Sequence, residues 1–599
     1  MASAFKSRLR GLVNPTQETP VAEVREKTST DKEAAVVDNQ AQEPVDAAQQ
    51  SDDEISRDAQ PGVQGIEAFT KVWTRSHMII AYITIWVIYF VDAMQSSMAS
   101  LLTPFVTSSF QRHSLTATTG IMSYLIGGLI KLPLAKVLDI WGRPTGYAAM
   151  VFCLTIGLIM MAACNAVETY AAGQVFYWVG YNGIAYCCSI FIADTSSLRN
   201  RSLMFAFVSS PYIITVWIGG PLATAFLEGP GFRWGFGVFA IITPVICSPL
   251  LILYYINYRK AHRMGLIPKR ESNRTAWQSV KYYFIEFDVI GILILCTGLG
   301  LFLLSFSLYS YQAEQWKSPL IICFLIFGGL LCIAFPIYEK YVAPVTFFPY
   351  HLLLDRTVLG ACILSGALFV SFYIWDSFFP SFLMVVNNLS PTKTNYVTYI
   401  YSIGSCFWSF IVGYAIRRTG TFKWLALYFG VPITILGVGL MINFRQPDVN
   451  VGFIVMCQIF IAFGGGTLVI CEQMAAMAAV SHQYVATVIA IEGCFASVGG
   501  AIGSTLAAAI WTGTFPYRLA EHLPEEAKSQ AMTIYGDITT QLSFEFGSPI
   551  RHAISQAYGD SQRYMLIAAT AVQVISIASV WVWRDINVKE FKQTKGLVF

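Results

Sequence analysis

Apolar runs of about twenty residues recur along most of the chain, each closed by a polar turn or a longer connection. A helix of that length crosses the hydrocarbon layer of a bilayer. Fourteen such runs stand near 78–102, 118–138, 146–166, 170–194, 203–227, 235–257, 287–310, 318–339, 357–386, 395–416, 423–443, 451–479, 485–511 and 563–583. The pattern predicts an all-α membrane protein with 14 transmembrane helices. Residues 1–75 lack an apolar core and are rich in acidic and small polar residues, Asp52-Asp53-Glu54 among them. They are read as a disordered tail rather than a signal peptide.

Composition agrees with the pattern. Only 13% of residues are charged while 55% are hydrophobic, well away from the soluble norm of about a quarter charged. A net charge of +3 gives no footing for nucleic acid. The 13 cysteines fall inside the apolar runs, where a thiol behaves as a small hydrophobe; neither a disulfide framework nor a zinc site is expected.

Lys and Arg set the orientation. With the N-terminus inside, the inner connections hold about twice as many of them as the outer ones, and 258–285 alone holds Arg259, Lys260, Arg263, Lys269, Arg270, Arg274 and Lys281. Both termini are then cytoplasmic. The outer connection 513–562 carries Tyr517, Tyr535, Phe544 and Phe546, and a connection of that length is expected to fold on its neighbours.

The turn Lys136-Val-Leu-Asp139-Ile-Trp-Gly142-Arg143 after span 2 packs an acid, a glycine and bases together. A related turn, Arg417-Arg418-Thr-Gly420, follows span 10, with Arg417 standing where Asp139 stands and Gly420 where Gly142 stands. If spans 7 and 8 are an insert, the turn recurs at the same place in two six-helix sets, an internal repeat of the kind seen in transporters. The expected organisation is a tail (1–75), a first half (76–257), a cytoplasmic connection (258–286), a two-helix insert (287–340), a second half (341–584) and a C-terminal tail (585–599).

The sequence Ala135-x-x-x-Asp139-Ile-x-Gly142-Arg143 resembles the signature of the major facilitator superfamily, Gly-x-x-x-Asp-Arg/Lys-x-Gly-Arg, without the first Gly and without the base after Asp. Gly219-Gly220-Pro221 in span 5 resembles part of the family's Gly-Pro bend, and Asp288-x-x-Gly291 resembles the start of helix 7 in fourteen-helix members. Within that group the acidic N-terminus, Asp92 in span 1, the turn Ala193-Asp-Thr-Ser-Ser-Leu-Arg-Asn-Arg201 and the extended last outer connection are similar to fungal siderophore–iron transporters. The resemblance implies the major facilitator fold and a monomer in the plasma membrane, with endosomal vesicles as a second location. It implies import of ferric hydroxamate siderophores in symport with protons. The iron would travel inside its chelate, with no cofactor and no metal ligands on the protein. The competing readings are a fourteen-helix proton antiporter exporting drugs or a molecule such as glutathione, and a sensor built on a transporter body. No catalytic constellation supports an enzyme.

Charged groups inside spans are costly and therefore functional candidates. These are Asp92, Asp376, Glu472 and Glu492. Glu472 and Glu492 lie ten residues either side of His482, at the turn between spans 12 and 13, so an antiparallel hairpin puts them at one depth. Two carboxyls sharing a dry site hold protons more tightly. The alternative is that each is a structural acid bonded to a neighbouring helix. Candidates for lining a cavity are Lys131, Tyr177, Tyr181, Tyr186, Tyr212, Trp217, Tyr373, Trp375, Tyr399 and Trp408, against the alternative of lipid-facing or interfacial aromatics. His482 reads as a solvated turn residue. The resemblance further implies a latch of Asp139, Gly142 and Arg143, with Asp139 at the start of span 13 near Gln483–Val485 and Arg143 facing Asp194. No mirrored latch is expected at Arg417, although an ion pair between Arg417 and Asp194 is open.

Overall fold

The computed structural model describes residues 61–109, 126–266, 275–309, 312, 314–345, 350–590, 593–594 and 598. Among these residues there is no strand, and 13 helices are long and apolar enough to cross a membrane. The first half begins with α1 (Pro61–Val72) and α2 (Arg75–Ser109), followed by α3 (Lys131–Ile140), α4 (Arg143–Ala163) and α5 (Val167–Thr195). It continues with α6 (Leu198–Ser209), α7 (Pro211–Glu228) and α8 (Phe232–Arg263). Then come α9 (Ala276–Glu286), the insert helices α10 (Val289–Leu308) and α11 (Pro319–Tyr341), and α12 (Arg356–Asp376) with its short outer continuation α13 (Phe379–Val385). The second half proceeds through α14 (Pro391–Thr398), α15 (Ile400–Thr419), α16 (Lys423–Phe444) and α17 (Val451–Ala478). It ends with α18 (Val485–His522), α19 (Ala531–Gly536), α20 (Ile538–Ser543) and α21 (Pro549–Trp581).

The expected second span, 118–138, lies partly outside the described residues; its described part ends in α3. The fifth span is two helices, because Pro211 has no N–H to continue the ladder of α6. The repeated turn is visible in the backbone. Gly142 (φ +94°) and Gly420 (φ +88°) both sit in the conformation that glycine adopts without penalty. Gly142 precedes Pro144 at the start of α4, and Gly420 caps the end of α15. Asp288 caps α10, accepting from Gly291 N–H (3.3 Å) and from the Tyr338 hydroxyl (2.9 Å).

Three expected boundaries move. The tail 1–75 ends in a packed helix: Val63, Ile66, Phe69 and Val72 of α1 are buried, and Phe69 lies 5.4 Å from the Tyr254 ring of α8. The amphipathic stripe at three- and four-residue spacing is what buries it. The connection 258–286 is largely helical, as the end of α8 and as α9, whose Tyr283 and Phe287 pack edge-on against Trp141. The connection 513–562 shrinks to 523–548, because α18 and α21 run past the apolar runs on which they begin and end. Arg551 pins that connection, donating to the carbonyls of Val385 (3.0 Å) and Gln541 (2.5 Å), while Gln541 bonds Tyr558 (2.9 Å).

Candidate functional site

The two halves meet along α18. At the end of the bundle carrying the Lys- and Arg-rich turns (the basic end), Arg143 donates to Asp139 (2.6 Å, one helical turn back) and to Asp194 at the end of α5 (3.1 Å). All three side chains are at most 5% exposed. The expected approach of Arg143 to Asp194 is present. Asp139 is held by Arg143, and the residue that bridges to the head of α18 is Asp194, through His482 (3.5 Å). His482 is therefore no solvated turn residue; its side chain is 13% exposed. Arg417 is exposed and lends only its carbonyl, to Arg199 (3.2 Å), because Asp194 is already taken by Arg143 and His482.

The same end carries a second bridge, one that no sequence pattern announces. Arg201, 0% exposed, donates to the carbonyls of Ala193 (2.7 Å) and Ser196 (3.3 Å) in its own half. It also donates to Gln593 of the C-terminal tail (2.6 Å). Gln593 in turn donates to Met477 O (2.8 Å) and Val480 O (2.6 Å), at the turn after α17. The tail reaches this point by pairing Val588 N–H with Gly420 O (2.8 Å) and Lys589 with Arg418 O (2.7 Å).

At the start of α18, Tyr186 donates to Ala486 O (2.6 Å). It belongs to the contact between halves rather than to a cavity. Further along stand the acids. Glu472 on α17 and Glu492 on α18 are 1% and 6% exposed, and their carboxyls lie within hydrogen-bonding reach of one another. A carboxylate only accepts, so such a bond needs a proton on one of the two. Ser365 of α12 donates to Glu492 (3.3 Å). Lys131, at the start of α3, reaches neither Asp92 nor the tyrosines. Its ammonium lies on the backbone of Gly493, where a Cβ would come within 3.0 Å of it, and Glu492 is the acid that acts on it.

Asp92 occupies a separate pocket of polarity inside the first half. It is 6% exposed, and its charge acts on Tyr89, Tyr177, Tyr181 and Tyr212. Tyr181 and Tyr212 share a hydrogen bond (3.1 Å), and Tyr177 stacks on Tyr181 at 6.0 Å. Of the candidate aromatics, then, three converge with an acid. The others are spent elsewhere. Trp217 is half exposed and stacks on Tyr396 (4.8 Å) where α7 meets the second half. Trp375 is fully buried in the second half against Phe372 and Phe379. Trp408 donates to Thr467 (3.0 Å) and stacks on Phe463 (4.3 Å). Tyr373 packs on Gly500 and Gly503 of α18, and Tyr399 is half-buried at the start of α15. Asp376 sits near Arg445, a buried guanidinium that donates to Trp375 O (2.6 Å) and lies over the Phe379 ring (4.3 Å).

Comparison with known proteins places this architecture. The Major Facilitator Superfamily family profile matches residues 85–343. "MFS siderochrome iron transporter 1" of Ajellomyces capsulatus is 64% identical over 599 residues, covering 100% of both chains. "Siderophore iron transporter mirB" of Emericella nidulans is 42% identical over 98% of this chain and 96% of that one. Among solved structures, the human organic anion transporter MFSD10 aligns over 82% of this chain and 98% of its own, with 11% identity and a TM-score of 0.49. The chain belongs to the major facilitator superfamily and, within it, to the fungal siderophore–iron transporters.

Proposed function

We propose that this protein imports ferric siderophores of the hydroxamate type across the plasma membrane in symport with protons, its basic end and both termini facing the cytoplasm. The substrate class rests on the names its relatives carry. The coupling rests on one observation, the pair of buried carboxyls of Glu472 and Glu492 where α17 and α18 meet the opposite half. Two neighbouring carboxyls can share a proton or pass it on, and Ser365 supplies a donor that keeps the ionised form tolerable once the proton has left. Cargo binding is assigned to the polar pocket of Asp92, Tyr177, Tyr181 and Tyr212. Its hydroxyls and ring faces suit a bulky, often neutral chelate whose iron is already enclosed by six oxygens. The contacts that cross between the halves at the basic end, Asp194–His482 and Arg201–Gln593, close the cytoplasmic side, and alternating access requires them to break.

The test is uptake of radiolabelled iron, presented as several defined ferric hydroxamates, by yeast lacking its own carriers. Uptake is expected to rise with external acidity and to collapse with a protonophore. Glu492→Gln, delivered to the surface, is expected to abolish that dependence. No uptake of any chelate at acid external pH would move the reading to export.

A further inference from the structure

We infer that Lys131 is the counter-charge through which the Glu472–Glu492 pair holds on to the opposite half, so that a proton arriving on the pair frees α3 from α18. This rests on the coupled-import reading above and names the step at which the proton acts.

The geometry begins with two glycines. A side chain at Gly128, just before α3, would run into Ser497 of α18, and a Cβ on Gly493 would lie 3.0 Å from both Cδ and Nζ of Lys131. At each of these contacts a glycine of one segment receives a side chain of the other. Ser497 keeps its hydroxyl on Gly493 O (2.9 Å), inside its own helix, so it offers Lys131 no competing tie. The lysine is carried by the first half and the acids by the second. Their attraction acts between the moving bodies rather than within one of them.

The groups facing this contact come from four helices. Lys131 meets Gly493 of α18, the residue between Glu492 and Cys494, and the charge of Glu492 acts on it. Ser365 of α12 and Glu472 of α17 face Glu492. Cys362 of α12 lies near both acids, and Tyr401 of α15 lies near Glu472. Lys131 is the one cation among them. With Glu492 ionised, the opposite charges pull α3 onto α18 and keep the basic end shut. When Glu492 takes a proton the attraction is lost, and a buried amine left without its counter-charge gains by moving towards water. An acid load then favours separation of the halves at the basic end, the direction that import requires.

The experiment measures uptake against external pH for wild type, Lys131→Met, Lys131→Arg and Gly493→Ala in the carrier-deficient yeast, with surface delivery scored in parallel. Removing a cation near a carboxylate lets the proton bind at lower proton concentration. Lys131→Met is expected to move the alkaline limb of uptake up by about one pH unit or more. Lys131→Arg is expected to leave it in place. Gly493→Ala meets only the flexible end of the lysine, so it is expected to reach the surface and to shift the limb the same way by less. It keeps the test open if Lys131→Met is not delivered. A coupled wild type whose limb moves in neither Lys131→Met nor Gly493→Ala overturns this proposal alone. A wild type indifferent to external pH and to protonophore overturns it together with the coupled-import reading.

Discussion

Gln593→Ala is the perturbation whose size follows most directly from the geometry. Gln593 makes three hydrogen bonds of two kinds. Those to Met477 O (2.8 Å) and Val480 O (2.6 Å) stay within the second half and hold the tail in place. The third, from Arg201 (2.6 Å), joins the halves. A hydrogen bond to a charged group contributes about 1.5–3 kcal/mol, and Arg201 is wholly buried, so water cannot simply replace the lost acceptor. That share alone shifts the balance between closed and open basic ends by roughly 10- to 150-fold, since about 1.4 kcal/mol is a factor of ten. The assay is hydrogen exchange on purified protein in nanodiscs, without substrate, following peptides over 193–201 and 477–486. Exchange in both turns is expected to accelerate at least tenfold in Gln593→Ala. Gln593→Glu keeps an acceptor for Arg201 but turns an oxygen on two carbonyls, so it should loosen the tail as well. If only the tail beyond Arg584 exchanges faster and both turns keep wild-type protection, the tail does not bind the halves together.

Three further outcomes can be checked. Asp194→Asn weakens the bonds of both Arg143 and His482, and breaking a buried pair costs about 3–5 kcal/mol; a large fall in thermal stability is expected, and a smaller one for His482→Gln. Gly157→Leu should abolish folded protein in size-exclusion profiles, because a Cβ there would sit 2.8 Å from the Tyr177 backbone. Gly329→Leu, with nothing within 4 Å, should behave as wild type. Arg551→Ala removes the donor for three carbonyls, and the 523–548 connection should become cleavable by protease added from outside.

How much was legible depends on the kind of interaction. The spans were, because a bilayer demands runs of apolar residues and the chain supplies them. The repeated turn was too, since positive-φ glycines leave a mark in sequence. The ends of α18 and α21 were not, because beyond the bilayer a helix continues on packing, and Phe515, Leu519 and Tyr558 are buried by neighbours that hydropathy does not see. The helix α1 does carry a signal: Val63, Ile66, Phe69 and Val72 keep helical spacing in an otherwise polar tail. Gln593 and His482 carry no such signal. Each is one polar residue in a turn or tail, and what makes it matter is an arginine or aspartate hundreds of residues away.

The contacts on α18 differ in chemistry as they climb the helix, and that order constrains how the basic end can open. At its foot His482 meets Asp194, one turn in the Ala486 carbonyl takes the Tyr186 hydroxyl, and two turns further Gly493 carries Lys131. The Tyr186 hydrogen bond crosses between the halves without a titrating charge, whereas the Arg143–Asp194 pair lies within the first half and crosses only through His482. The uppermost contact is governed by a group reading the proton, Glu492, about two turns into α18. A helix of that length does not bend to release one contact at a time. When its upper end is freed, the lower bonds are left to hold the closed arrangement alone, each of modest net worth. Their sum sets how much acid the carrier needs before it opens, so weakening any one of them should shift the acid requirement of uptake in the same direction as Lys131→Met, by a smaller amount.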